Sequence, residues 1–234
     1  MGRFVLLASF MVLIFCNYKH SQNAVTALQP LNGSVWYRDQ LGHIMEQIGG
    51  TVGVELGVKT GTFSQQVLRD WKSCTRFYLV DSWRRLPNYV DIANVDDAQH
   101  LANMFDARRR LSPFAARTSF LFLPMLTAEA AELVPPGLDL VYVDARHDYC
   151  GVAEDIAAWW PKLRPGGVLA GHDYLTSAEV RARTPWQDWS LCADGSVRAG
   201  AVKQAVRDFA ARAGGLPVEV SADEWPTWLV RKPP

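Results

Sequence analysis

Five short apolar runs alternating with helix-patterned stretches constrain this chain more than any other feature. The runs cover residues 51–56, 76–81, 119–123, 138–144 and 167–170. Between them the apolar spacing predicts helices over 64–71, 96–111 and 151–160, with Thr127 placed to cap a short one through Leu133. Strands that are apolar on both faces need helices on both faces. The pattern therefore predicts an α/β fold with a doubly wound, mostly parallel sheet. A leading helix is predicted over 34–48 from Trp36, Leu41, Ile44, Met45 and Ile48, with Ser34 as its N-cap. After an irregular insertion over 175–200, a helix over 201–213 leads into closing strands at 218–221 and 227–231, near enough to pair antiparallel.

Composition narrows the class. The 234 residues, 49% of them hydrophobic, suit one sizeable domain better than two. A charged fraction of 21% and mean hydropathy of -0.05 exclude a disordered chain, a coiled coil and a polytopic membrane protein. With 24 basic against 24 acidic residues, no bulk charge draws the chain to nucleic acid. Arg108, Arg109 and Arg110 with Arg117 form the one basic cluster, read as a solvated helix face. The nine tryptophans read as packing residues. Cysteines at 16, 74, 150 and 192 show neither the density of a disulfide scaffold nor a C-x-x-C pair.

Arg3 precedes an apolar run from Phe4 to Cys16 broken only by Ser9, and no acid occurs before Asp39. The run is shorter than the ~20 residues of a bilayer span. It suits a signal peptide, with Val25-Thr-Ala27 offering small residues for cleavage; a short uncleaved anchor and a buried helix are the rivals. Leu6 breaks the myristoylation pattern. The expected organisation is a signal peptide or anchor over 1–30 and one domain over 31–234. Secretory or membrane-anchored placement follows, or cytoplasmic if the segment is no targeting signal.

Two ends of the sheet carry chemistry. Glu55-Leu-Gly57-Val-Lys-Thr-Gly61 joins the first strand to the first crossover helix, where glycines let backbone approach a ligand. The spacing is G-x-x-x-G, not the G-x-G-x-x-G that seats a pyrophosphate, so a nucleoside cofactor without one fits better. Twenty residues after Gly61, Asp81 ends the second strand, where a carboxylate can accept both hydroxyls of a ribose. The fourth strand runs into Asp144-Ala-Arg-His147-Asp-Tyr149, and the fifth into Gly171-His172-Asp173-Tyr174. Neighbouring strand ends open into one crevice, so Asp144 and Asp173 could hold Mg²⁺ or a similar ion, with His172 a further ligand favouring Mn²⁺, Fe²⁺ or Zn²⁺. His147 is the candidate general base, against a purely structural hydrogen bond. His43 and His100 receive no role.

With these residues in place the chain resembles the class I S-adenosylmethionine-dependent methyltransferases. Glu55, Gly57 and Gly61 match their first motif, and Asp81 their ribose acid. The stretch from 138 to 174, with Asp155, Trp159 and Pro165-Gly166-Gly167, is similar to the family-24 methyltransferase domain and macrocin-type sugar O-methyltransferases, over roughly residues 50–232. The resemblance implies a Rossmann-like seven-stranded sheet with a reversed final strand, and Leu126 and Thr127 at the adenine. It also implies Asp144 as metal ligand and His147 as base. Such relatives carry two adjacent acids after the fifth strand, where this chain has His172-Asp173. The expected function is O-methylation of a small polar acceptor, with a sugar among the candidates, using S-adenosylmethionine and a divalent cation, Mg²⁺ or Mn²⁺. The alternatives are an NAD-type oxidoreductase and a catalytically silent S-adenosylmethionine-binding subunit. The partner expected is the acceptor alone, with no nucleic acid, membrane contact only through an uncleaved N-terminus, and homo-oligomerisation left open.

Overall fold

Residues 35–234 are described by a computed structural model. The N-terminal apolar run, Cys16 and Ser34 lie outside the described residues. Seven strands form one sheet: β1 (Val52–Leu56), β2 (Arg76–Asp81), β3 (Ser119–Pro124), β4 (Leu138–Val143), β5 (Leu163–Gly171), β6 (Glu219–Val220) and β7 (Trp228–Arg231). Their order is β3-β2-β1-β4-β5-β7-β6. The first five are parallel, and β7 runs antiparallel to both β5 and β6. Every residue of β4 is buried, as a central parallel strand covered on both faces must be.

Among the described residues seven α-helices accompany the sheet: α1 (Leu41–Gln47), α2 (Thr62–Asp70), α3 (Asp97–Leu111), α4 (Thr127–Leu133), α5 (Tyr149–Trp159), α6 (Ser177–Arg183) and α7 (Ala201–Arg212). The period-2 alternation of the strands sorts the core into two layers. Phe77, Leu79, Leu140 and Tyr142 meet α1, α2 and α3 on one face. Val54, Leu56, Val141 and Val143 meet α4, α5 and α7 on the other. Leu175, Val180, Trp189 and Ala201 form a third, small cluster beneath the insertion before α7, with Trp225 packed against it.

Four local expectations are corrected. The leading helix starts only at Leu41, after a single 3-10 turn at Arg38–Gln40. Upstream, the Trp36 carbonyl accepts from the Ala222 amide, and the Arg38 amide donates to Asp223. Those bonds hold the segment extended across the β6–β7 connection. Thr127 is the first residue of α4 and not its cap; Leu126 stands at the boundary. The insertion is not wholly irregular, because Thr176 caps α6 and Glu179 returns the bond. The basic cluster is no single face: Arg117 donates to the Trp71 and Leu68 carbonyls, closing the C-terminus of α2. Among the described residues, no helix is long and apolar enough to cross a membrane.

Candidate active site

The strand order reverses between β1 and β4, and a cavity of about 990 Å³ opens at the carboxyl ends of the strands there. Backbone bonds fix its floor. The Gly57 amide donates to Val80, that of Asp144 to Leu56, and that of His172 to Val143. Gly57 has φ +86°, and a Cβ on it would collide with the Asp144 carbonyl. No other residue fits at that crossing. Gly61, at φ +71°, starts α2; a Cβ there would press at 3.1 Å on Ala107 of α3. It shapes the turn without lining the cavity.

At one end of the cavity, Asp81 accepts from the Lys59 amide at 2.8 Å and the Trp83 amide at 2.7 Å. Burial raises its pKa despite those bonds. Leu126 and Thr127 line the same end, beside Asp155, which the sequence reading left without a role. Asp155 is buried on α5, and desolvation pushes its carboxyl up to about 7. His100 also reaches this cavity, with its Nε2 buried and unpartnered. Glu55 projects from β1 toward α2, where Ser64 donates to it. Desolvation raises its carboxyl to about 8.

At the other end, Asp144, His147 and Asp173 converge. One donor atom from each lies within 4.8 Å of the other two. His147 Nε2 is 3.3 Å from Asp144 Oδ1 and 3.3 Å from Asp173 Oδ2. The two carboxylates are hard oxygen donors suited to a divalent ion such as Mg²⁺ or Mn²⁺, so Asp144 and Asp173 fit the expected cation. His172 stands at the edge: its Nδ1 is 3.0 Å from Asp173 but 3.9 Å from Asp144. Asp173 takes φ +60°, a left-handed conformation that is strained for a non-glycine residue and turns its carboxylate inward.

Four residues join this end without any signal in the sequence reading. Asp91 Oδ2 lies 3.1 Å from His147 Nδ1 and accepts from Trp189 Nε1 at 2.8 Å. Tyr89 Oη lies 3.1 Å from the same imidazole nitrogen and donates to the Ala145 carbonyl. Trp189 packs its ring 4.5 Å from that of His147. Arg38 donates from Nη2 to Asp144 Oδ2 at 3.0 Å. Burial alone would lower the His147 pKa, but hydrogen bonding to Asp144 and Asp91 and the charge of Asp173 raise it well above the ordinary value. Desolvation opposes ionisation of Asp144 and Asp91 too, yet their cationic neighbours hold both below the usual range.

The insertion before α7 walls this end with Gln187, Trp189 and Ala193, and the segment between β2 and α3 with Tyr89, Asp91 and Ile92. A disulfide between Cys150, in the first turn of α5, and Cys192 ties the insertion to the loop that carries His147. Cys74 is free and buried.

The family model of the family-24 methyltransferase domain matches residues 54–174. No curated protein sequence matches the chain. The O-methyltransferase TomG of Streptomyces achromogenes, involved in tomaymycin synthesis and solved with SAM, is 15% identical with a TM-score of 0.55. That match covers 84% of this chain and 79% of that one. A Bacillus cereus O-methyltransferase solved with SAH is 16% identical with a TM-score of 0.54, covering 90% and 87%. A Burkholderia thailandensis O-methyltransferase family protein, 16% identical with a TM-score of 0.51, is matched over 83% of this chain. The chain spans only 57% of that protein's length. At such identities the three structures establish the shared fold, Rossmann-like with a reversed final strand.

Proposed function

The chain belongs to the family-24 methyltransferase domain family, and from that membership we propose that it is an S-adenosylmethionine-dependent O-methyltransferase acting on a hydroxyl of a small polar acceptor. The observation that carries the reading is one continuous cavity, with Gly57 and Asp81 at its cofactor end and the His147 cluster at its chemical end. Solved neighbours hold SAM or SAH, which supports the cofactor. The cofactor, when bound, supplies a sulfonium methyl. Asp81 accepts the ribose hydroxyls, the bare backbone at Gly57 admits close approach, and Leu126 and Thr127 flank the adenine.

At the chemical end His147, once deprotonated from the imidazolium that its acidic neighbours favour, receives the acceptor proton at Nε2 while Asp91 accepts from Nδ1. Asp144 and Asp173 would hold the divalent cation, with His172 at the rim; when bound, the ion lowers the pKa of the acceptor hydroxyl. Tyr89, Trp189 and Trp225 line the cavity, and aromatic side chains suit contact with the C–H face of a sugar. Alignment of the acceptor oxygen with the methyl adds to the help of the base, since in-line displacement depends strongly on geometry. The Cys150–Cys192 disulfide supports work in an oxidising compartment, reached through the N-terminal apolar segment.

Calorimetry and labelled-methyl transfer test the reading. S-adenosylhomocysteine should bind and NAD should not, and transfer to a hydroxyl panel should rise with Mn²⁺ or Mg²⁺. Binding of NAD without response to S-adenosylhomocysteine would sink it.

A further inference from the structure

The cavity has cations of unequal kind. Lys59, Arg84 and Arg85 are exposed at its rim. Arg146 is already engaged by Asp148 at 2.6 Å and by the Asn88 carbonyl at 3.0 Å. Arg38 differs. Its guanidinium lies inside the cleft, 4.6 Å over the Phe63 ring and 5.4 Å from the Tyr142 ring, which fixes its plane. Nη2 is bonded to Asp144, but Nε is buried with no partner. Tyr142 Oη beside it is buried and unpartnered as well. A buried donor left unpaired is costly, so a guanidinium that lines the cavity with an unsatisfied donor marks a place for an anion.

The sheet order says which anion. Adenine-flanking Leu126 and Thr127 follow β3, the ribose acid Asp81 ends β2, Gly57 follows β1, and Asp144 follows β4. A ligand laid along β3-β2-β1-β4 with its nucleoside at the β3 side brings its far end to the β1–β4 boundary, where Arg38 stands. For the cofactor proposed above, that end is an α-amino acid, and its carboxylate matches the planar fork of Arg38.

We propose that Arg38 is the seat of the cofactor's α-carboxylate, and that by exchanging Asp144 for that carboxylate it frees Asp144 to bind a divalent cation. The inference rests on the reading of the cavity as an S-adenosylmethionine site. It concerns a residue upstream of the 54–174 family match, on a strap tied by Trp36 and Arg38 to the β6–β7 connection. Cofactor and cation then bind with positive cooperativity, because each favours the same rearranged Arg38.

Calorimetry on the full chain tests both halves, using S-adenosylhomocysteine and 5′-methylthioadenosine, which shares the adenosyl thioether but lacks the amino-acid end. Arg38→Ala should weaken S-adenosylhomocysteine by roughly 10- to 100-fold, the scale of a charge-assisted bond, and leave 5′-methylthioadenosine within about threefold. Arg38→Lys should fall between. In the native protein S-adenosylhomocysteine should tighten Mn²⁺ several-fold, and in Arg38→Ala Mn²⁺ affinity should no longer depend on it. Equal losses for both nucleosides, or none, overturn the carboxylate seat; so does a native protein that binds both equally, whatever the variants' folding. Mn²⁺ binding that is absent, or indifferent to S-adenosylhomocysteine in the native protein, overturns the exchange. A native protein that binds neither nucleoside defeats the methyltransferase reading itself.

Discussion

His147 is held from both sides of its ring, and the two sides do different work. Nε2 faces Asp144 and Asp173, while Nδ1 faces Asp91, itself pinned by Trp189. His147→Ala should lower turnover by roughly 10² to 10⁴, the range for a positioned base. Asp91→Asn keeps the imidazole but removes a charge that raises its pKa. Its titration in the ligand-free protein, followed by NMR of the ring Cε1–H, should move to lower pH; an unmoved titration would show that Asp91 does not control it. The strand-end residues were legible in the sequence because a parallel sheet places every such residue in one crevice. Asp144, His147, Asp173 and Asp81 are found there. Arg38, Tyr89, Asp91 and Trp189 were not legible, since each rides on a segment whose path depends on distant contacts. Asp91 and Trp189 are 98 residues apart and meet through one hydrogen bond.

At the scale of elements, the insertion between β5 and α7 behaves as a wall tethered at one point by a covalent bond. Cys192 lies three residues beyond Trp189, and its partner Cys150 lies three beyond His147. Reduction, or the paired change Cys150→Ser with Cys192→Ser, should therefore act on the acceptor end first. We expect a raised acceptor KM, S-adenosylhomocysteine affinity within about threefold, and a stability loss of roughly 2–4 kcal/mol for a loop of this length. An acceptor KM indifferent to reductant would show that hydrogen bonds alone hold the wall. The same region marks where pattern reading ran out. The strands and main helices follow from periodicity, which burial enforces; the antiparallel pairing of β6 and β7 followed from their closeness in sequence. Thr176-Ser-Ala-Glu179 carried a capping-box signature that does announce α6. The leading helix begins later than its spacing predicted because Trp36 and Arg38 spend backbone groups on the β6–β7 connection, a tertiary demand no local spacing encodes.

For the whole molecule, the buried acids decide how stability responds to pH. Glu55 is pushed up to about 8 and Asp155 to about 7, both chiefly by desolvation, from ordinary values of 4.5 and 3.8. Between its unfolded and folded pKa, each group binds more protons in the native state than in the unfolded one, so stability falls as pH rises. The window runs from about 4 to 8 for the two acids together. Each contributes a slope of at most about 1.4 kcal/mol per pH unit within its own part of that window. His147, with its pKa raised, adds stability below its ordinary value that is lost as pH rises through the folded one, which has the same sign. Asp91 and Asp144 work oppositely, losing their contribution as pH falls through their lowered values. These directions predict that the ligand-free protein loses stability as pH rises through neutrality, even though its formal net charge at pH 7 is zero. Melting curves from pH 4 to 9 should show the decline, and Glu55→Gln should flatten it between about 5 and 8, because a neutral amide keeps the Ser64 partner without the cost of ionising. A melting temperature that climbs through neutrality in the native protein would mean that Glu55 and Asp155 are ionised in the folded state, with Arg38 and the backbone around β1 and α5 compensating their charge.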